Sequence, residues 1–159
     1  MPSLPKPTSC KDCPAYSLGI AYVPPRGPKP AKIALIGQGP GEEEARLGKP
    51  FIGKSGYLIS QWLKAAGVVE REVWIDNVVR CRLVVTRKDG TPVPGPSGGL
   101  QNRTPSMKEM KYCWDCHGVK DLEVVKPMVV FSAGVPATTM LLGKRGRVGM
   151  IGNVFEVEV

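Results

Sequence analysis

The sequence predicts an α/β fold, a three-layer α/β/α sandwich with a mostly parallel central sheet. Three observations carry this. Three short apolar runs, AKIALIG (31–37), EVWIDNVV (72–79) and PMVVFSAG (127–134), have the length and β-branched content of buried strands. Helical patterns follow them, so the order is strand, helix, strand, helix, strand, helix, which is how parallel neighbours are connected. At 159 residues and 42% hydrophobic content, the chain suits one compact domain, 1–159, with a real core.

Taken in order, residues 1–31 are rich in proline (PSLPKPTSCKDCP, VPPRGPKP) and poor in periodicity. They read as an N-terminal arm tied down by something other than hydrophobic packing, with Cys10-x-x-Cys13 as the evident tie. SGYLISQWLKAAG (55–67) places Leu58, Trp62, Leu63 and Ala66 at helical spacing before a glycine stop, so that face is expected to be buried. Between the second and third strands lies TRKDGTPVPGPSGGLQNRTP (86–105), dense in Gly and Pro, which reads as a long mobile loop. The third strand leads into a small-residue helix, VPATTMLLG, and the closing NVFEVEV alternates as a half-buried strand does. No internal repeat or heptad is present in the 159 residues.

Charge and cysteine content narrow the partners. Twenty-two Lys and Arg against fourteen Asp and Glu give net +8, so polyanions are the natural ligands to expect. No apolar run approaches the roughly 18 residues of a membrane span, and MPSLPKPTSC has no apolar signal core, so the expected setting is cytoplasmic. Nothing in the pattern signals oligomerisation, and a monomer is expected. Five cysteines fit a disulfide framework poorly, the number being odd. Read from spacing alone, Cys10-x-x-Cys13 pairs with Cys113-x-x-Cys116 as a four-cysteine zinc site, leaving Cys81 as a buried thiol.

The turn after the first strand, GQGPGEEEARLGKPFIGKSG (37–56), is where an open α/β sheet places its ligand. Phosphate fits it poorly. The lysine and hydroxyl of a Walker loop are missing, Glu42 stands where a dinucleotide fingerprint needs its third glycine, and the glutamates repel an anion at the next helix. A nucleobase fits the residue types. Gly37, Gly39 and Gly41, with Pro40 between them, permit close backbone approach, Gln38 donates and accepts, and Phe51 offers a face for stacking. Asn77 ends the next strand, on the same side, and a carboxamide there can pair with the polar edge of a base. Taken singly, Phe51 also fits a core position, Asn77 a turn cap and Gln38 a plain turn residue.

Taken together these motifs resemble the iron-sulfur uracil-DNA glycosylases, family 4 of that superfamily, including relatives fused to phage polymerases. The likeness rests on GQGPGEEEARLGKPFIGKSGYLI, on WIDNVVRCR and on KPMVVFSAGVPATTMLLG, and it covers nearly the whole chain. The resemblance implies the α/β/α glycosylase sandwich and base flipping: DNA is bound, a deoxyuridine is extruded, and its N-glycosidic bond is hydrolysed, as in base excision repair. By the same resemblance Phe51 stacks on uracil, Asn77 reads its edge and acts in catalysis, Gly37 to Gly41 line the sugar, and Gln38 takes a place where the family usually has glutamate. It implies a [4Fe-4S] cluster on Cys10, Cys13, Cys81 and one later cysteine. Counting back from Lys126-Pro127, Cys113 is nearer than Cys116 to that position, with a one-residue slip. Zinc remains the alternative. The basic groups Arg80, Arg82, Arg87 and Lys88, and Lys144, Arg145 and Arg147, are expected on DNA phosphates, without reading sequence.

Two departures bear on catalysis. An amide at Gln38 takes up no proton near neutrality, so it can orient a water but not act as general base. The family's His-Pro motif, beyond the strand matching NVFEVEV, has no counterpart before Val159, and His117, beside Cys116, does not match it. Losing such a donor costs on the order of a hundredfold in rate. Three explanations stay open: an incomplete polypeptide, a second chain supplying the rest, or reduced activity. Two functions follow: a uracil-DNA glycosylase, or an inactive iron-sulfur module that holds DNA for a polymerase or another replication or repair partner.

Overall fold

The computed structural model describes residues 4–96, 98–143, 146, 150 and 152–156. Its centre is a three-stranded parallel sheet of β2 (Ile33–Gly37), β3 (Val73–Asn77) and β5 (Val129–Ser132), in the order β3-β2-β5. The pairs Ile33↔Val73 through Gly37↔Asn77 run without a shift, so the first and second strands end level with each other. A separate antiparallel pair joins β1 (Ile20–Tyr22) to β4 (Cys81–Arg82).

Strand alternation sends successive side chains to opposite faces, and both faces are covered. Ala34, Ile36 and Trp74 pack with Met110, Trp114, Leu122, Val125 and Ala137, which come from α3 (Met107–Cys113), a π-helical turn (Trp114–Gly118), α4 (Val119–Val125) and α5 (Val135–Leu142). Leu35, Val73 and Ile75 pack on the other face with Leu63 and Ile59 of α2 (Lys54–Ala65) and with Phe51. Two cores on two sides of one sheet make the three layers the sequence predicts. The short α1 (Glu42–Leu47) follows the turn after β2.

Four local expectations are corrected. In α2, Leu58 and Trp62 are exposed, Trp62 at 66%, while Gly56 and Leu63 are buried. The inward positions are Gly56, Ile59 and Leu63, a valid i, i+3, i+7 stripe whose first member is not apolar enough to be read as one. The 86–105 segment is a folded ribbon, with bridges Thr86↔Pro92 and Pro94↔Leu100 inside it and Val84↔Asn102 at its base. Backbone bonds such as Val85 N–H to the Gln101 carbonyl, at 2.8 Å, account for its order. The arm is held by packing as well as by hydrogen bonds, since Ala15, Tyr22 and Val23 are buried and Arg26 bridges to Ile75. Residues 153–156 form no strand, and Val157 to Val159 lie outside the described residues.

Helix α3 begins with a capping box that fixes its start. Ser106 Oγ accepts from the Glu109 N–H, Glu109 accepts from the Ser106 N–H, and Arg103 donates to both Glu109 oxygens at 2.6 and 2.8 Å. The Arg103 bonds chiefly, and the Ser106 bonds after them, hold the Glu109 carboxyl down at about 2 against the opposing effect of burial. A depressed carboxylate stabilises the fold above its ordinary value of 4.5 and loses that contribution as pH falls toward 2. The shift converts to at most about 3 kcal/mol. Glu109→Gln should therefore flatten the loss of stability between those pH values in urea denaturation; an unchanged acid slope would refute the assignment.

Candidate functional site

The carboxyl ends of β2 and β3 bring Gly37 and Asn77 side by side, and the loop between α1 and α2 lays Phe51 against both. A Cβ built on Gly37 would lie 2.4 Å from the Phe51 ring and 2.5 Å from Asn77 Oδ1, so only glycine lets ring and carboxamide meet there. The backbone of the turn is pinned to the segment after β3, with the Val78 N–H donating to the Gly37 carbonyl at 2.8 Å and Val79 to that of Gln38 at 3.1 Å. Phe51 itself has φ +54°, the left-handed region, which a bulky residue enters only when its surroundings hold it there. Gly56 of α2 supplies part of that hold, since a Cβ on it would fall 2.2 Å from the Phe51 carbonyl carbon and oxygen.

Asn77 is 4% exposed, and its carboxamide oxygen lies beside Gly37 at the carboxyl end of β3. A nearly buried carboxamide beside an aromatic edge, at the carboxyl end of the sheet, has the character of a ligand-reading group. Gln38 borders a recess of about 50 Å³ with Gly39, Pro40, Asn102 and Arg103, a space of the size of one or two waters. Of the glycines, Gly39 meets only ordinary contacts, whereas a Cβ on Gly41 would fall 2.6 Å from Glu44 Oε2 and displace that carboxylate. A larger cleft, about 470 Å³, lies elsewhere around Phe51, lined by Arg26, Lys49, Tyr57 and Glu70 and not by Gly37 or Asn77.

Two arginines expected on phosphates are not on the surface. Arg80, 4% exposed, donates through Nε to both Asp76 oxygens at 3.1 and 3.2 Å, and its terminal nitrogens reach Asp76, Asp121 and the Tyr22 hydroxyl. Burial pushes the Asp76 carboxyl up and Arg80 opposes it. Arg82, 5% exposed, donates to Asn102 Oδ1 at 2.8 Å and the Leu100 carbonyl at 2.9 Å and pairs with Glu42 at 3.3 Å. Both are internal struts, committed to carboxylates and the 86–105 ribbon, and neither presents a free fork to DNA. Lys144, Arg145 and Arg147 lie outside the described residues, while Arg87 and Lys88 are exposed.

The cysteines gather where the arm meets β4 and the α3 helix. Burial raises the Cys10 thiol, and the nearby Cys13 and Cys116 add to that. Burial likewise pushes Cys81 up to about 11, with Cys10 and Cys13 contributing, and Cys113 up to about 12, with Cys81 contributing. Cys113 sits within the core beside Met110 and Trp114, and Cys13 packs against that core from the arm. His117 Nε2 is 3.2 Å from Cys10 Sγ, and burial, followed by Arg80, pushes that imidazole below its ordinary value. Among the described residues no three His, Cys, Asp or Glu side chains converge tightly enough to hold a single ion. A thiol-only set spread over the arm, β4 and α3 has the donor chemistry of an iron-sulfur cluster.

Sequence reasoning treated Glu44 only as a charge at a helix start and passed over Asp76 and Glu109. The Ser106-x-x-Glu109 spacing was a readable signal for the last, and so was Asp76, an acid inside an apolar strand run with Arg80 only four residues on.

The family model of the Uracil DNA glycosylase superfamily matches residues 24–158. The chain is 32% identical over 126 residues to a type-4 uracil-DNA glycosylase of Archaeoglobus fulgidus, covering 79% of the chain and 55% of the relative. It is 31% identical over 137 residues to one from Thermotoga maritima (86% and 62%), and 28% over 139 residues to one from Pyrobaculum aerophilum (87% and 62%). It thus spans 55 to 62% of the length of these three relatives. Among the described residues no helix is long and apolar enough to cross a membrane. With the glycine turn, the parallel sheet and the family match all lying in the same stretch, this chain belongs to the uracil DNA glycosylase superfamily.

Proposed function

We propose that this chain takes a flipped deoxyuridine from DNA into the pocket of Gly37, Phe51 and Asn77 and hydrolyses its N-glycosidic bond. The observation that carries this is the carboxamide of Asn77, nearly buried at the end of β3 and set beside Gly37 and the Phe51 ring. Its Oδ1 accepts from uracil N3–H and its Nδ2 donates to O4, a pairing that cytosine, with the opposite pattern at those atoms, does not offer. Phe51 stacks on the base, and the Gly37 to Gly41 turn lets the sugar approach the backbone. As the C1′–N1 bond breaks, its electron pair passes to uracil, and the Asn77 N–H at O4 stabilises the delocalised charge. Gln38 holds the attacking water by hydrogen bonds and takes no proton; as the water oxygen bonds to C1′ its proton passes to solvent, and the uracil anion is protonated from solvent in turn. The relatives named as glycosylases support this reading over that of an inactive binding module. Phosphates fall to exposed cations, Arg87 and Lys88 on the ribbon and Lys49 and Lys54 around Phe51, so binding weakens with salt.

Cys10, Cys13, Cys81 and Cys113 are the proposed ligands of a [4Fe-4S] cluster, Cys116 being the alternative to Cys113. When bound, the cluster cross-links the arm, β4 and α3. Hydrolysis needs no electron transfer, so its contribution here is structural. Cys81→Ser and Cys113→Ser should lose the broad visible absorbance and the matched iron and sulfide after anaerobic purification, while Cys116→Ser keeps them. Zinc in place of iron, or loss on changing Cys116 alone, would overturn the corresponding assignment.

The function is tested by incubating the protein with a single-stranded uracil-containing oligonucleotide and then treating with alkali. Breakage at the uracil position is expected; an intact strand at stoichiometric protein, with DNA binding retained, contradicts the hydrolase.

A further inference from the structure

We propose that Glu44 is a positioning residue for Phe51, tying the two glycine turns of the pocket together; this rests on the reading of Phe51 as the base-stacking ring. The three glutamates of the 42–44 run have different partners. Glu42 pairs with Arg82 and Glu43 with Arg46. Glu44 instead crosses to the second turn, where its Oε1 accepts from the Gly53 N–H at 2.9 Å and the Ile52 N–H at 3.3 Å. The carboxylate occupies a socket between two glycines. A Cβ on Gly41 would stand 2.6 Å from its Oε2, and one on Gly53 would stand 3.0 Å from its Oε1.

Glu44 thus fixes the backbone immediately after Phe51, and Gly56 of α2 lies directly against the Phe51 backbone itself. These two contacts hold the residue in its left-handed conformation and its ring against Gly37 and Asn77. A ring held in place before the base arrives loses less freedom on binding, which is what pre-organisation contributes to affinity. Glu44 does not itself line the contact of Gly37, Phe51 and Asn77, so its effect should pass entirely through Phe51.

A double-mutant cycle tests this on the purified holoprotein, reading the affinity ratio for uracil-containing over cytosine-containing single-stranded oligonucleotides. Glu44→Ala should lower that ratio about tenfold, while Glu44→Gln, which keeps the accepting carbonyl, should stay within about threefold of the parent. In a Phe51→Ala background the same Glu44→Ala change should cost no more than about twofold. Faster amide exchange at Ile52 and Gly53 in Glu44→Ala is the companion readout, and Glu44→Asp, one methylene short of the socket, should shift both measurements the same way if the alanine variant does not fold. Equal losses in both backgrounds would overturn the proposal, as would an unchanged ratio in Glu44→Ala while the parent discriminates uracil. A parent that does not discriminate at all would overturn the base-pocket reading, and the role of Glu44 with it, even where the amide readout shows the tether intact.

Discussion

Replacing Asn77 with alanine is expected to lower uracil excision by about a hundredfold or more while leaving DNA binding at low salt nearly unchanged. Asn77 is buried at the end of β3, level with Gly37. The cost should fall on the bound and reacting states, where uracil O4 and N3–H lose their counterparts and the departing charge loses a donor. Asn77→Asp tests the donor separately: Oδ1 still accepts from N3–H, but a carboxylate facing O4 repels it, so this variant should be no better than alanine. Single-turnover excision of a uracil oligonucleotide reads both. A loss in alanine below about threefold would place the reacting base elsewhere.

The second large effect is on stability. Arg80→Ala should destabilise the fold by about 3–5 kcal/mol, because it leaves Asp76, 1% exposed, buried without its bidentate partner. The double change Asp76→Asn with Arg80→Met should recover part of that loss, since an uncompensated charge is worse than no charge. Arg80 also lies between Asn77 and Cys81, and its carbonyl accepts from the Val23 N–H at 2.7 Å. Loosening it should disturb both the end of β3 and the arm. Urea denaturation of the single and double variants reads the energies; a single-variant loss below about 1 kcal/mol would mean that the pair is not buried as described.

The sheet was legible because apolar runs of strand length, stopped by Gly37, Gly134 and the polar Asn77 region, leave little choice of period. Legible too was the meeting of Gly37 with Asn77, since parallel strands open their carboxyl ends on one side. The face of α2 was not, because Trp62 and Leu58 carry the strongest apolar signal there while Gly56, which carries none, points inward. Arg80 and Arg82 read as surface cations because Asp121, Leu100 and Asn102, which help take them inside, are 18 to 41 residues away, while Asp76, four residues before Arg80, sits in a run read only as an apolar strand. The 86–105 ribbon was hidden by its own composition: glycine and proline signal turns, and here the turns bring paired segments together. Glu44 needed both turns in space before its purpose showed, though Gly41 and Gly53 were the residues that made room for it.

The central claim is that Gly37, Phe51 and Asn77 form the uracil pocket, and its most direct measurement is nuclear magnetic resonance of the isotopically labelled protein titrated with free uracil. The account predicts saturable shifts of the Asn77 side-chain amide, the Phe51 ring and the Gly37 to Gly41 backbone, absent with Asn77→Ala. Saturable shifts confined to the cleft of Arg26, Lys49 and Tyr57, with Asn77 and Gly37 unmoved, would contradict it.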